Sequence, residues 1–259
     1  RVLFRSEERG LIGVQKLFAD KRVTPRFAVV GEPSDLELIY AHKGHVIACA
    51  SLPLEKKAGA TAKSWKGKAA HSSTPALGVN AIRKGFAEIF KKGWGLAGWD
   101  GGTNSNRVPE SATALVTDAA TSITDDWRKF VEAVEKLEKS YRKIKDSRFS
   151  PSVTTLSWNL TRTVGDRAEI TFDFRTLPGV DALKLRAELE KLLPPSGRWK
   201  EISVDLPLAG DKDNTLMKNA SKALKACGVA PKKKTKASST EAARRVVISQ
   251  AATALALRE

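Results

Sequence analysis

The sequence has little cysteine and no long apolar run. Cys49 and Cys227 are the only cysteines among 259 residues, and they stand far apart without a CxxC pattern. Neither a disulfide framework nor a thiolate zinc site is therefore indicated, which fits a reducing compartment. Because no run of about eighteen apolar residues and no basic-then-apolar leader occurs, a membrane span is not expected. A cytoplasmic protein is the expectation.

Acidic residues are few relative to basic ones. The chain has 45 Lys and Arg against 29 Asp and Glu, a formal net charge of +16. A positive surface attracts anions, whether acidic substrates, nucleic acid or other polyanions, and net charge does not choose among them. The apolar content of 41% can supply the cores of one large domain or two ordinary ones.

The first thirty residues predict a βαβ unit. Residues 2–5, which begin with three apolar side chains, and the apolar residues 27–30 are each predicted as a short buried strand, and residues 11–19 between them have apolar side chains at helical spacing. A unit of this kind favours a parallel sheet with active groups at the carboxyl ends of its strands. Three acidic residues stand at such ends: Glu7, Glu8 and Glu32.

The middle of the chain predicts a second domain in the order βαββαβ. Strands are predicted near 61–65, 111–116, 168–175 and 200–206, and helices near 76–92 and 181–193. The expected fold class is α/β. A catalytic domain with a mostly parallel central sheet flanked by helices, residues 1–42 and 208–259, is interrupted by a ferredoxin-like α+β domain, residues 43–207.

Two further helices are predicted. One spans about 125–148, with Thr124 as its N-cap and apolar residues at spacings of three and four, including Trp127 and Phe130. Packing against a core is its expected role. The other spans about 213–226.

The acidic residues have a chemical and a structural interpretation. If Arg9-Gly10 turns the backbone, Glu7 and Glu8 can converge, so that one binds a metal and the other accepts a proton from metal-bound water. A solvated surface pair is the alternative. Glu32 follows four apolar residues and precedes a proline, which aims it into a crevice or makes it a turn residue.

The chain has three histidines. His42 and His45 have an H-x-x-H spacing, but in an extended segment they face opposite ways, so shared metal ligation is not expected. His71 stands between a predicted strand and a predicted helix, where an imidazole can donate a hydrogen bond to a developing oxyanion. A helix-capping or structural histidine is the alternative.

A glycine-rich loop and a strand end supply further candidates. Asn104 and Asn106, in GGTNSNRVPES, suit amide hydrogen bonds to a substrate, although turn chemistry explains the same residues. Arg175, which ends EITFDFR, could hold a carboxylate or act as a surface salt-bridge partner.

The order of these motifs resembles one enzyme family. The segments are LFRSEERGLIGVQKLF, VVGEPSDLELIYAHKGH, GKAAHSSTPALGVNAI, GGTNSNRVPESA and DFRTLPGVD. In this order they resemble the dinuclear-zinc amidohydrolases and exopeptidases, which include acetylornithine deacetylase, succinyl-diaminopimelate desuccinylase, aminoacylase and carboxypeptidase G. The resemblance implies two Zn²⁺ ions per subunit, with Co²⁺ as an alternative, and a lid domain that forms a homodimer.

The resemblance also implies residue roles in the catalytic domain. Glu7 matches the general base that activates the bridging water, and Glu8 and Glu32 match metal-binding carboxylates. The family's upstream H-x-D ligand pair has no counterpart here, and no histidine follows Glu241 in SSTEAARRVVIS. An incomplete sequence is therefore expected.

In the lid, His71 matches the histidine that stabilises the tetrahedral intermediate, and Asn106 and Arg175 match substrate-binding residues. The expected function is hydrolysis of an amide bond in N-acyl amino acids or short peptides by metal-activated water. The alternative is an inactive or incomplete family member, a basic scaffold that binds polyanions through patches such as residues 232–236. No stacking aromatics interleave with that lysine run, so nucleic acid is not the expected partner.

Overall fold

The structure, a computed structural model, describes Asp20 and residues 34–237. Glu7, Glu8 and Glu32, together with the predicted strands at 2–5 and 27–30 and the predicted helix at 11–19, lie outside the described residues. The chain divides into two compact units. One unit contains the described residues Asp20, 34–43 and 205–237, and the other is Gly44–Val204.

The described residues form nine strands and four α-helices. The strands are β1 (Leu38–His42), β2 (Gly44–Pro53), β3 (Thr61–Lys66), β4 (Gly95–Gly101), β5 (Ser111–Thr117), β6 (Thr155–Val164), β7 (Arg167–Thr176), β8 (Arg198–Asp205) and β9 (Lys233–Lys236). The helices are α1 (Ala81–Lys92), α2 (Ser122–Tyr141), α3 (Ala182–Glu190) and α4 (Thr215–Ala226). Over the described part of the chain, the helices are too short or too polar to cross a membrane.

The larger unit is built on a seven-stranded sheet in the order β3-β5-β4-β6-β7-β2-β8. The pairs β2–β7, β3–β5, β4–β5, β4–β6 and β6–β7 are all antiparallel. The α/β class is confirmed. A mostly parallel central sheet was predicted for residues 1–42 and 208–259, whereas the sheet described here, within residues 44–205, is antiparallel in all of these pairs. The turn between β6 and β7 shows the physical reason: Gly165, with φ of 64°, and Asp166 form a two-residue connection, which allows only antiparallel neighbours.

The predicted strands are present, but the sheet has more of them. The four predictions correspond to β3, β5, β7 and β8, whereas β2, β4 and β6 are additional. Strand β4, GLAGWDG, has three glycines, a residue depleted in strands. At Gly98, a Cβ atom would lie 3.2 Å from Leu115, so the partner strand packs where a side chain would stand. With these three additional strands, the sheet has seven strands rather than the four of a ferredoxin-like unit.

The helices begin where side chains cap them. Helix α1 starts at Ala81 rather than near residue 76, because the Asn80 side chain accepts a hydrogen bond from the Arg83 backbone N–H. Helix α2 starts at Ser122, and its N-cap is Thr121, not Thr124. Thr124 lies inside the helix and donates its hydroxyl hydrogen to Glu55, so the predicted cap is wrong by three residues.

The core of the larger unit is an aromatic layer between the sheet and α1 and α2. The rings of Trp158 and Phe172 lie 4.7 Å apart between centroids, and those of Phe86 and Trp99 5.2 Å. Trp127 of α2 is fully buried in this layer, which confirms the packing role predicted for the helix. Phe172 of β7 lies on this face of the sheet. Because successive strand residues alternate between faces, the residues before and after it lie on the opposite face.

The smaller unit contains a parallel pair of strands. Strand β9 pairs in parallel with β1, so most of the predicted polyanion patch is a strand rather than a loop. Lys233 Nζ lies 3.1 Å from Asp213 Oδ1, and Lys234 Nζ lies 2.6 Å from Glu37 Oε1. These ion pairs neutralise part of the positive charge on which polyanion binding would depend.

Because His42 in the smaller unit is buried, we predict that the stability of the protein depends on pH. His42 is fully buried, and burial lowers its pKa below 6.5 despite a hydrogen bond with the Lys43 carbonyl. Below about pH 6.5 the unfolded chain gains a proton at His42, while the folded chain keeps the ring neutral. The free energy of unfolding therefore decreases as the pH is lowered from about 6.5 to the pKa of His42 in the folded protein. Urea unfolding followed by circular dichroism at pH values on either side of this range measures the fall. The variant His42→Gln should show a smaller fall, and an equal fall in both proteins would contradict the prediction.

Candidate substrate-binding site

One face of the sheet carries a buried polar cluster. Asp173 and Arg175 are two residues apart on β7 and so share the face opposite the aromatic layer. His45 on β2 is the cross-strand partner of Arg175. Asn159 stands at an irregularity of β6, where the register with β7 shifts between Trp158 and Leu160. Such a bulge re-aims a side chain, and here Asn159 reaches Asp173.

Asp173 accepts hydrogen bonds from four side chains. Its Oδ2 lies 2.7 Å from His45 Nε2, 2.9 Å from Arg175 Nε and 3.0 Å from Ser72 Oγ. Its Oδ1 accepts a hydrogen bond of 3.1 Å from Asn159 Nδ2. We call these five residues the Asp173 cluster.

The charges in the cluster compensate one another. Burial alone would raise the pKa of Asp173, but the hydrogen bond from His45 and the charge of Arg175 lower it below the usual value. The carboxylate is therefore ionised, as a buried ion pair requires. Arg175 is itself only 3% exposed, so the predicted alternative of a surface salt bridge does not describe it.

His71 precedes the Ser72 of the cluster, and its ring is oriented by the backbone. Its Nδ1 accepts a hydrogen bond of 3.1 Å from the Ser73 N–H. A nitrogen that accepts carries no hydrogen, so in the neutral ring the hydrogen is on Nε2. Burial of part of the ring, followed by the charge of Arg175, lowers the pKa of His71 and favours this neutral form. The residue remains exposed and presents one donor.

The loop before β5 carries the predicted asparagines. The Asn106 N–H donates to Asn104 Oδ1 at 3.2 Å, so Asn104 performs the turn chemistry that was the alternative to substrate binding. The Asn106 carbonyl accepts a hydrogen bond of 2.9 Å from the Ser72 N–H, and the residue is exposed. The loop begins at Gly102, whose φ of 74° suits glycine.

Three of the six predicted site residues, His71, Asn106 and Arg175, therefore meet around the Asp173 cluster. The sequence reasoning missed four members of the cluster: His45, Ser72, Asn159 and Asp173. A signal was present for Asp173, because in DFR it shares a strand face with Arg175. Nothing local indicated Asn159, since its role depends on the bulge.

The described residues do not form a metal site. Within residues 34–237 and Asp20, no group of three or more His, Cys, Asp or Glu side chains could hold a metal ion. Ligation by Glu8 and Glu32 stays a prediction, since both lie outside this part of the chain.

Comparison with known proteins gives short but significant matches. The chain is 37% identical over 76 residues to an acetylornithine deacetylase of Yersinia pseudotuberculosis, and 40% identical over 76 residues to that of Vibrio cholerae. The predicted family resemblance is confirmed. Each match covers 29% of this chain but only 16% and 17% of the relatives, so most of their length has no counterpart in the alignment. No family model matches the chain.

The fold has a solved counterpart. The crystal structure of the aminoacylhistidine dipeptidase from Vibrio alginolyticus superposes with a TM-score of 0.52 over 77% of this chain and 52% of that protein. The sequence identity is 14%, so this likeness shows a shared fold alone.

Proposed function

We propose that the chain is part of a hydrolase that cleaves an amide bond in N-acyl amino acids or short peptides. The acetylornithine deacetylases to which it is similar support a substrate with an acyl group and a free carboxylate. The geometry around His71 and Arg175 supports the same substrate class, because it offers one group for a carbonyl oxygen and one for a carboxylate.

The observation that carries the proposal is the hydrogen bond from the Ser73 N–H to His71 Nδ1. It leaves Nε2–H as the donor of the neutral ring. Attack on an amide carbonyl develops negative charge on its oxygen, and a preorganised donor stabilises that charge more than the starting carbonyl. We therefore assign His71 as the oxyanion donor.

Arg175 binds the substrate's carboxylate in this proposal. Its Nε donates to Asp173 and its Nη2 to Ser72, which holds the guanidinium plane in one orientation. Within the described ranges, Nη1 has no protein acceptor, and a carboxylate can take that place. Because Asp173 and Ser72 hold the fork, lysine is a poor substitute. Asn106, on the neighbouring loop, supplies an exposed amide to the same substrate.

The remaining roles complete the proposal. The compact unit Gly44–Val204 supports residues 43–207 as a lid inserted into a catalytic domain of residues 1–42 and 208–259. We propose a homodimer through this lid and a Zn²⁺-dependent reaction. In that reaction Glu7 is the general base, and Glu8 and Glu32 are metal ligands.

The carboxylate requirement tests the proposal. With Zn²⁺ in the assay, we expect the intact protein that contains this chain to hydrolyse N-acetyl-L-ornithine. It should lose about 10- to 100-fold in kcat/KM when the substrate's carboxylate is converted to an amide, since a hydrogen bond to a charged group contributes about 1.5–3 kcal/mol. Arg175→Lys should remove most of this discrimination.

The matched control is Arg128→Lys, which changes an exposed arginine paired with Asp125 at 2.7 Å. This variant should keep the discrimination of the unaltered chain. Equal hydrolysis of the two substrates, or no hydrolysis of either, would contradict the proposed function.

A further inference from the structure

One buried carboxylate connects the three predicted site residues of the larger unit, the catalytic His71 and the substrate-binding Asn106 and Arg175. We propose that Asp173 is a positioning residue, which sets the geometry of Arg175, His71 and Asn106 together without itself touching the substrate. This inference rests on the proposed function for its consequence in catalysis. Its structural content, the coupling of two loops to one strand residue, can be measured separately.

The connection to Arg175 is direct. Arg175 Nε donates to Asp173 Oδ2 at 2.9 Å, with side chains that are 4% and 0% exposed. In the absence of the carboxylate, the guanidinium would have no ionic partner in the cluster, because its remaining partner, the Ser72 hydroxyl, is neutral. Asp173 therefore sets the orientation of the Arg175 guanidinium group.

The connection to His71 runs through the residue that follows it. Ser72 Oγ donates to Asp173 Oδ2 at 3.0 Å and accepts from Arg175 Nη2 at 3.2 Å. Ser72 is only 1% exposed, so this hydroxyl anchors the loop to the sheet. The anchor holds the backbone from which the Ser73 N–H orients the His71 ring.

The connection to Asn106 runs through the bulge. Asn159 Nδ2 donates to Asp173 Oδ1 at 3.1 Å and to the Ser105 carbonyl at 2.6 Å. Ser105 precedes Asn106, whose own carbonyl accepts the Ser72 N–H. The two loops are thus joined to each other and, from both sides, to Asp173.

Removal of the Ser72 hydroxyl tests the positioning role. In Ser72→Ala, the loop loses its bond to Asp173 while the Asp173–Arg175 ion pair remains. We expect the pKa of His71 to rise towards 6.5, because the released ring becomes more solvated and leaves the charge of Arg175. NMR titration of isotope-labelled histidine measures this pKa directly, since the chain has three histidines and His42→Gln and His45→Gln variants assign the signals.

Ser64→Ala is the matched control, because it removes an exposed serine hydroxyl that lies 3.1 Å from Thr113 Oγ1 on the edge of the sheet. The pKa of His71 should not change in this variant. If it is also unchanged in folded Ser72→Ala, the loop is held independently of the cluster and the inference is wrong.

Kinetics with N-acetyl-L-ornithine distinguish the connection of Asp173 to His71 from its connection to Arg175. In Ser72→Ala, kcat should fall by about tenfold, since misplacement of a catalytic group by about 1 Å costs up to 10²-fold. KM should change less, because Arg175 loses its bond to Ser72 but keeps its ion pair with Asp173. In Asp173→Asn, KM should rise more than in Ser72→Ala, because Arg175 loses its ionic partner. A fall in kcat with KM unchanged in folded Asp173→Asn would overturn the proposal.

Outcomes for the inference and for the proposed function remain distinct. If the intact protein that contains this chain hydrolyses no amide substrate, the proposed function fails, while the His71 titration still decides the positioning role. If Asp173→Asn does not fold, as judged by circular dichroism, Ser72→Ala and its titration decide alone.

Discussion

Replacing His71 with alanine is expected to lower kcat for amide hydrolysis by about 10²–10³-fold, the usual effect of removing one oxyanion donor. The reason is the fixed tautomer. Because Nδ1 accepts the Ser73 N–H, Nε2 carries the hydrogen that the developing oxyanion requires. The expected change in KM is small, since the donor contributes mainly in the transition state.

Steady-state kinetics with N-acetyl-L-ornithine measure this effect, and circular dichroism confirms that the variant is folded. Leu77→Ala provides a control on the same loop, because this side chain is 69% exposed and lies outside the Asp173 cluster. A His71→Ala variant with unchanged kcat would show that another group stabilises the oxyanion.

Replacing Glu55 with alanine is expected to lower the free energy of unfolding of the larger unit by about 3 kcal/mol, because charge-assisted hydrogen bonds contribute about 1.5–3 kcal/mol each and water replaces only part of them. Glu55 is buried at the N-terminus of α2. Its Oε1 accepts from the Thr121 N–H at 2.9 Å and from the Thr124 hydroxyl at 2.8 Å. The negative charge also lies at the favourable end of the helix dipole.

Urea unfolding followed by tryptophan fluorescence suits this measurement, since all six tryptophans lie within residues 44–204. Glu132→Ala, on the exposed side of α2, is the control and should change stability by less than about 0.5 kcal/mol. If the two variants are equally stable, water replaces the Glu55 hydrogen bonds without cost.

Periodicity predicted the elements whose side chains alternate or recur strongly. Strands β3, β5, β7 and β8 and helix α2 were found this way. In β5, β7 and α2 most of the apolar residues are buried in the core. Strand β4 was missed because its glycines carry no pattern. The glycines allow β4 to pack closely against β5, and this contact exists only in the folded sheet.

The residues of the candidate site likewise fall into those that the sequence predicted and those that only the structure revealed. The motifs around His71 and Arg175 were recognisable as motifs, so both residues were predicted. Asp173 and Asn159 acquire their roles from cross-strand register and a bulge, which are relations between distant segments. Residues Glu7, Glu8 and Glu32 stay predictions, since they lie outside the described residues.

By itself, the sequence determined the family resemblance, the α/β class and the identity of three residues that meet at the site. Only the tertiary structure decided the antiparallel order of the strands, the tautomer of His71 and the partner of Arg175. The physical reason is that periodicity and turn chemistry act over a few residues. A buried charge such as that of Asp173, in contrast, is stabilised by donors that are up to 128 residues away along the chain.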